Sequence, residues 1–295
     1  MFSEKIKEIK SDRSSGASQI SRNALVILKL FAQTSKTSNN KIFVKQFTEI
    51  GQQLLEARTN MSPVQNLVAQ IVYAVNSLKD YEIGFVRNFA ISKIDELCRQ
   101  SESAVKESAI YAADLLADFD CVSTCSYSST ICETIKLAKN QGKIFKVFVA
   151  ESRSPDDQFR YGKDLATFLE SINVPVQVFP DNKLSDYVPN SNCVMVGADS
   201  ILSDGSIING TPTCEMAVNA KESGVPFYSI CETAKVNTLS YLGNKVEVKQ
   251  GFEIVPFSLL TGLITENGIL STKNIIELMK EKARYFEVFS FQDRL

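Results

Sequence analysis

The sequence predicts an α/β protein with an N-terminal helical domain and a C-terminal Rossmann-like domain built on a doubly wound parallel sheet. Up to about residue 108, apolar residues recur with a helical period, and Pro63 is the single proline. Beyond that point, short apolar runs alternate with helical segments of about 10–15 residues, as in parallel strands joined by crossover helices. Residues 193–231 give the sharpest case, with strand, polar loop, helix and strand in succession. We therefore place the domains at 1–108 and 109–295.

Four helices are predicted in the N-terminal domain. The first carries Ile20, Leu25, Leu28 and Phe31 on one helical face. The second and third show the same periodicity, the fourth is long and mixed in charge, and TSKTSNN (34–40) is a polar connector. The predicted ranges are 18–33, 41–56, 61–77 and 81–106.

In the C-terminal domain the clearest helix is expected to begin at Thr213 as its N-cap. Gly224 and then Pro226 follow its last turn, the usual punctuation of a helix C-terminus. The turn-rich segment 203–212 is expected to be a polar loop. The predicted strands are 119–124, 146–150, 174–179, 193–196, 227–231 and 253–255. The predicted helices are 128–140, 162–171, 183–187, 213–223 and 272–282.

Charge and hydropathy exclude several classes of partner. The 295-residue chain has a net charge of −2 with mixed acidic and basic residues, so it lacks the basic surface expected for nucleic acid or an anionic membrane. No apolar run approaches the roughly 20 residues that span a bilayer. The N-terminus is charged and has no apolar signal core, which indicates a cytoplasmic protein.

The absence of histidine is the most restrictive feature of the composition. It removes Ser-His-Asp and Cys-His catalysis, imidazole acid–base chemistry and histidine metal ligands. Seven cysteines without a CxxC pair argue against a disulfide framework or a structural zinc site. No Gly-rich dinucleotide fingerprint or phosphate-binding P-loop is present. We therefore expect no metal and no cofactor.

Candidate site residues follow the predicted strands, because the carboxyl ends of parallel strands meet at one edge of a sheet. Ser126 and Ser128 follow the first strand, where hydroxyls and amides either hold a phosphate or cap the next helix. Arg153 follows the second strand, either as a bidentate phosphate ligand or in a salt bridge with Glu151. Cys125 lies beside this edge, and the other six cysteines are expected to fill cores.

Asp199 ends the central strand. It is predicted to act as a general acid or base, to bind a hydroxyl, or to accept backbone amides in its own loop. Lys235 follows the fifth strand and would add a cation. In the helical domain, Arg13 and Arg58 each lie in a loop before a helix and would suit a clamp on phosphate groups.

Several motifs together resemble one known superfamily, that of the α, β and δ regulatory subunits of translation initiation factor 2B. The superfamily also contains ribose-1,5-bisphosphate isomerase and 5-methylthioribose-1-phosphate isomerase. The likeness covers nearly the whole chain and is specific in combination. It rests on GADSILSDGSIIN followed by GVPFYSICETAKV, SDRSSGASQI, ARTNMSPVQN, KVFVAESRS and FEIVPFSLLTGLITENGIL.

The resemblance implies a phosphorylated sugar or nucleotide bound in an interdomain crevice. It also implies a homodimer or higher oligomer and, as a protein partner, the α subunit of initiation factor 2. Carried onto this sequence, the ligand-binding positions are Arg13, Gly16, Ala17, Arg58, Ser126, Ser128, Arg153, Asp199, Asn209 and Lys235.

Two departures from the isomerases bear on activity. The isomerases place a catalytic Cys after Thr-His, paired with the GAD aspartate, whereas this chain has Ser126 at that position and Cys125 one residue earlier. Neighbouring residues of a strand face opposite ways, so Cys125 should not replace the missing thiol. The isomerases also have a Lys where Gly210 stands. We therefore favour a non-catalytic regulatory subunit. The alternative is an aldose–ketose isomerase with Asp199 as base and Cys125 or Ser126 as its partner.

Overall fold

The computed structural model describes residues 2–12 and 15–289, which belong to two units. The helical unit comprises the described residues of Met1–Glu102, Ala234–Asn244 and Ile276–Leu295. The α/β unit comprises Ser103–Thr233 and Lys245–Ile275.

The helical unit is built around a cluster of aromatic side chains. Phe31, Phe43 and Phe47 pack with ring centroids 5.3–6.1 Å apart. Caps define the helix starts: the Asn39 side chain accepts a hydrogen bond from the amide of Ile42. The helices are α1 (Phe2–Ser11), α2 (Ala17–Thr34), α3 (Asn40–Ala57), α4 (Ser62–Asn76) and α5 (Ile83–Ala113).

Helix α1 was not predicted from the sequence. It is short and its surface is mostly charged, but it buries Ile6 and Ile9 against the aromatic cluster. Three apolar side chains in ten residues, Phe2, Ile6 and Ile9, give a weak periodic signal, so tertiary packing determines this helix.

The α/β unit alternates strands and helices after α5 ends. The elements that follow α5 along the chain are β1 (Cys121–Cys125), α6 (Ser129–Asn140), β2 (Lys146–Ala150), α7 (Tyr161–Ser171), β3 (Val176–Phe179), α8 (Leu184–Tyr187), β4 (Cys193–Val196), β5 (Ser200–Ile201), β6 (Ile207–Gly210), α9 (Thr213–Glu222), β7 (Phe227–Ile230), α10 (Thr238–Tyr241), β8 (Phe252–Val255), β9 (Gly262–Thr265), β10 (Gly268–Ile269) and α11 (Thr272–Ala283). Of these, α10 and most of α11 belong to the helical unit.

The main sheet has the order β10-β9-β7-β4-β1-β2-β3, and within it only β10 is antiparallel to its neighbour. From β1 the chain proceeds outward through β2 to β3, and then returns to the other side of β1 with β4. The strand order therefore reverses between β1 and β4. In open α/β sheets, a crevice for ligands forms at the carboxyl ends of the two strands that flank such a switch point. The predicted doubly wound parallel sheet is confirmed.

A second, three-stranded antiparallel sheet of β5, β6 and β8 was missed. The expected polar loop 203–212 contains a hairpin turn at Gly205, whose positive φ of 86° suits glycine, and then the apolar start of β6. The predicted last strand, 253–255, is present as β8, but it pairs antiparallel with β6 and lies outside the parallel sheet. Strand β9, which was not predicted, takes the place next to β7.

Two late segments return to the helical unit. Residues 234–244, with α10, and residues from 276 onward, with most of α11, belong to it, and Phe286 and Phe289 join its core. The division at 108–109 remains a proposal, since a single boundary does not describe these returning segments.

In the part of the chain that is described, no helix is both long and apolar enough to cross a membrane.

Gly162 at the start of α7 provides a test of how tightly α7 joins β2. A Cβ at this position would lie 1.9 Å from the Ala150 carbonyl oxygen. The substitution Gly162→Ala is expected to lower the free energy of unfolding by about 1–3 kcal/mol, because backbone must shift to admit it. Urea unfolding followed by circular dichroism measures the change.

The matched control is Gly84→Ala, where the added Cβ would meet only the flexible Glu82 carboxylate. This variant is expected to stay within about 1 kcal/mol of the parent. Equal unfolding midpoints for the two variants would contradict the described α7–β2 junction.

Candidate functional site

Ser126 and Asp199 lie at the carboxyl ends of the two strands that flank the switch point. The amide of Asp199 donates to the Ile208 carbonyl at 2.8 Å, which places Asp199 beside β6. A Cβ built on Gly210 would lie 3.4 Å from Ser126 Oγ, so Ser126 also lies beside β6. Ile208 and Gly210 are two residues apart, about 7 Å along a strand. Ser126 and Asp199 therefore lie beside neighbouring parts of the same strand.

Cys125, the last residue of β1, is buried next to the first residue of α9. Its side chain is 1% exposed, and its Sγ lies 3.3 Å from Thr213 Oγ1. Burial raises the pKa of the Cys125 thiol to about 12; the hydrogen bond with Thr213 opposes this rise, and the charges of Glu253 and Asp181 add to it. A thiol in this state is neither accessible nor ionised near neutral pH, and a nucleophile needs both properties.

Asn209 and Thr213 form a hydrogen-bonded group under the switch point. Asn209 is buried and its Nδ2 donates to Thr213 Oγ1 at 2.9 Å, while Thr213 Oγ1 donates to the Gly210 carbonyl at 2.5 Å. Thr213 is the first residue of α9 and its N-cap is Pro212, so the predicted N-cap role of Thr213 is wrong. The reason is that the Thr213 side chain bonds backward to β6 and not to the first turn of its own helix.

The two serines after β1 are engaged within the protein. The amide of Ser126 donates to Ser152 Oγ at 2.7 Å, so this amide is not open to a phosphate, while its hydroxyl is partly exposed. Ser128 caps α6, accepting from the amide of Ile131 at 3.4 Å, and its hydroxyl lies against Gly197. The capping alternative is thus what the structure shows for Ser128. Ligand contact by either serine stays a prediction.

Arg153 forms ion pairs with two carboxylates. Its Nε lies 2.8 Å from Glu151 Oε2, and its Nη1 lies 3.4 Å from Asp157 Oδ1. The hydrogen bond to Glu151 raises the pKa of Arg153. The side chain is half exposed, so these pairs are weak and a phosphate could compete for the guanidinium. Phosphate binding by Arg153 stays a prediction.

In the helical unit, Arg58 follows α3 and holds the end of α1. Its Nε donates to the Ile9 carbonyl at 2.7 Å, and its Nη2 donates to the Asp12 carbonyl. Gly16 is the N-cap of α2 and Ala17 its buried first residue. The structure thus brings Arg58 close to the loop that precedes α2. Arg13 lies outside the described residues.

Lys235 belongs to a segment that Asn66 of α4 holds in place. Asn66 Nδ2 donates to the carbonyls of Ala234 and Val236 at 2.7 and 2.8 Å, and Asn66 Oδ1 accepts from Thr238 Oγ1 at 2.7 Å. Lys235 itself is 4% exposed. The sequence did not single out Asn66, because a lone amide inside an apolar helix gives no signal for a contact about 170 residues away.

The carboxyl edge of the α/β unit carries several carboxylates. Glu266 follows β9 and accepts from the amide and hydroxyl of Thr233. Burial raises the pKa of Glu266, and the neighbouring Glu232 adds to the rise. Glu253 of β8 accepts from the amide of Cys214 at 2.6 Å in the first turn of α9. Its charge therefore occupies a position where an anion would otherwise bind.

No group of three His, Cys, Asp or Glu side chains suited to a metal ion occurs within the described ranges. All seven cysteines are free thiols.

The fold and the edge together define a class of protein: a helical unit joined to a Rossmann-type α/β unit, whose switch point carries a hydroxyl, a carboxylate and a buried amide. The sequence pattern of the Initiation factor 2 subunit family matches residues 13–253. The chain belongs to this family.

The most informative relatives fall into two groups. An eIF-2B subunit 2-like translation initiation factor of Pyrococcus furiosus is 30% identical over 279 residues, covering 90% of this chain and 94% of that protein. The ribose 1,5-bisphosphate isomerase of Methanocaldococcus jannaschii is 25% identical over 291 residues, covering 92% and 91%. The crystal structure of Pyrococcus horikoshii translation initiation factor eIF-2B gives a TM-score of 0.77 at 26% identity, covering 91% and 96%. The expected superfamily is confirmed.

Thiol reactivity tests the placement of Cys125. With a pKa of about 12, about one thiol in ten thousand is ionised at pH 8. Iodoacetamide at that pH is expected to modify the partly exposed Cys98 and Cys214 before Cys125. Peptide mass spectrometry over time measures the order of modification.

The variant Ser126→Cys supplies the matched control, because it places a thiol one residue later at a partly exposed position. We expect the new thiol to react at least about tenfold faster than Cys125. Equal rates at the two positions would show that the Cys125 side chain is not buried.

Proposed function

We propose that this chain is a regulatory subunit of the initiation factor 2B type, which binds a phosphorylated sugar or nucleotide at the carboxyl edge of its parallel sheet without isomerising it. The observation that carries the proposal is the placement of two side chains at the end of β1, the Ser126 hydroxyl and the Cys125 thiol. Ser126 presents a hydroxyl beside β6, while the Cys125 thiol is buried against Thr213.

The absence of turnover follows from the chemistry of the groups at this edge. Isomerisation of an aldose needs a proton to be taken up and returned at adjacent carbons. Asp199 could take one side of that exchange, but a serine hydroxyl is a far weaker acid than a thiol, whose unperturbed pKa is about 8.5. Loss of one positioned acid–base group commonly lowers a rate by roughly 10²–10⁴.

Ligand binding is supported by the polar groups that remain at the edge. The Ser126 hydroxyl and the Asp199 carboxylate are partly exposed and lie beside the same strand. Hydroxyl and carboxylate oxygens are suited to the hydroxyl groups of a sugar. For the phosphate, we propose Arg153 as the ligand from the α/β unit. Ligand contact by Arg13, Gly16, Ala17, Arg58 and Lys235, which belong to the helical unit, stays a prediction of the sequence.

The alternative function is sugar-phosphate isomerisation. Its support is the 25% identity to ribose 1,5-bisphosphate isomerase over 92% of this chain, together with the retained Asp199. In this alternative, Asp199 acts as base and Ser126 as its partner, because the Cys125 thiol is buried against Thr213.

Binding and turnover are separable in one set of measurements. We expect ribose 1,5-bisphosphate, AMP or GMP to stabilise the protein, by about 2.7 kcal/mol when present at one hundred times its dissociation constant. That is a rise of roughly 5 °C in Tm, measured by thermal shift. Isomerase assays with ribose 1,5-bisphosphate and methylthioribose 1-phosphate should show no turnover above background.

The variants Asp199→Asn and Ser126→Ala are expected to reduce the thermal shift. Asp164→Asn and Ser171→Ala are matched controls, since both residues are exposed on α7. Turnover by the parent protein that disappears in Asp199→Asn would overturn the proposal in favour of the isomerase. If the ligand raises the Tm of Asp199→Asn and of Ser126→Ala as much as that of the parent protein, the ligand binds elsewhere.

The relatives named as initiation-factor subunits support a protein that works in a complex. We propose that this chain forms a homodimer or higher oligomer in the cytoplasm and contacts the α subunit of initiation factor 2. Sedimentation velocity is expected to show at least a dimer, and a faster species when that α subunit is added. A monomer at micromolar concentration that does not respond to the α subunit would contradict both parts.

A further inference from the structure

The Asp181 carboxylate holds two successive backbone amides at the end of the neighbouring strand β2. The amide of Ser152 donates to Asp181 Oδ1 at 2.7 Å, and the amide of Arg153 donates to Asp181 Oδ2 at 2.9 Å. Asp181 itself follows β3, in a short 3-10 helix at Asp181–Lys183. Successive amides that converge on one anion form a concave site known from many anion-binding loops. Here the anion is a side chain of the protein.

Ser152 passes this constraint to the end of β1. Its φ is +52°, a left-handed conformation that is uncommon for serine, and its side chain is buried. Ser152 Oγ accepts from the amide of Ser126 at 2.7 Å and donates to the Ala150 carbonyl at 3.3 Å. Ser126 is also left-handed, with a φ of +61°. Such conformations cost energy and persist only where surrounding contacts enforce them.

Hydrogen bonds therefore link the ends of three neighbouring strands, β3, β2 and β1, in that order. The residue after β3 holds the loop after β2, and that loop holds the residue after β1. The last member of the series is Ser126, whose Oγ would lie 3.4 Å from a Cβ on Gly210. Because the amide of Ser126 is taken by Ser152, the hydroxyl is the group that Ser126 offers to a ligand.

We propose that Asp181 is a positioning residue of the ligand site: it enforces the left-handed turn at Ser152 and thereby sets the direction of the Ser126 hydroxyl at the switch point. This inference rests on the proposed ligand-binding function. In this proposal the effect of Asp181 on affinity passes mainly through Ser126 and, because Asp181 also holds the amide of Arg153, in part through Arg153.

The substitution Asp181→Asn tests this directly. An asparagine retains one acceptor oxygen and turns an NH₂ donor toward one of the two amides, so one hydrogen bond is lost in either orientation. The matched control is Asp186→Asn, which removes the same charge five residues later, where the carboxylate is exposed and paired with Lys183 at 3.0 Å. Affinity for ribose 1,5-bisphosphate is measured by titration calorimetry.

A double-mutant cycle with Ser126→Ala separates positioning from a general structural effect. We expect Asp181→Asn and Ser126→Ala each to weaken binding about five- to tenfold, as loss of one ligand hydrogen bond does. Added to Ser126→Ala, Asp181→Asn should cause a clearly smaller loss than it causes alone, because most of its effect passes through Ser126. Asp186→Asn should bind as the parent does.

Amide hydrogen exchange gives a readout that does not depend on the ligand. The Ser126 amide is expected to lose protection in Asp181→Asn and to keep it in Asp186→Asn. Additive losses in the double variant, or unchanged protection at Ser126, would overturn the positioning role. The parent protein could fail to bind ribose 1,5-bisphosphate even though protection at Ser126 falls as expected in Asp181→Asn. In that case the binding proposal fails for this ligand, and the role of Asp181 in the ligand site fails with it. Parent binding that is unchanged in Asp181→Asn overturns the role of Asp181 alone.

Discussion

The pairing of β1 with β4 is the interaction on which the rest of the site depends. Val122 lies opposite Cys193 and Ser123 opposite Val194, and Asn192 exchanges two 2.8 Å hydrogen bonds with Cys121 at the start of the pair. This is where the strand order reverses, so the connections that leave the two carboxyl ends diverge. Ser126 and Asp199 occupy these ends. Without this pairing, the hydroxyl and the carboxylate would belong to separate loops with no common strand beside them.

Much of the fold was predictable because local and tertiary preferences agree. Helices α2 to α5 show strong apolar periodicity, and the buried strands β1, β2, β4 and β7 read as short apolar runs followed by polar residues. The errors occur where the local signal is ambiguous. Residues 207–210 and 252–255 are too short to reveal a partner, and they pair with each other as β6 and β8. Helix α1 depends on two side chains and on the core they enter.

The site was predictable to the extent that it follows from strand alternation. That rule predicted different surroundings for Cys125 and Ser126, and the structure places the thiol against Thr213. Ser126 itself follows β1 in a left-handed conformation, which strand alternation does not describe. The supporting residues gave no such signal. Asp181, Ser152, Asn66 and Glu253 act on backbone amides and carbonyls in other segments, and such contacts leave no residue pattern along the chain. This chain resembles both initiation-factor subunits and isomerases, so the proposal of a regulatory subunit rests on side-chain placement at the end of β1.

A crystal structure with ribose 1,5-bisphosphate would test the central claim most directly. The account predicts sugar oxygens within hydrogen-bonding distance of Ser126 Oγ and the Asp199 carboxylate, with Cys125 Sγ still against Thr213. A ligand bound away from the carboxyl ends of β1 and β4, or a Cys125 thiol directed at the Asp199 carboxylate beside the sugar, would contradict it.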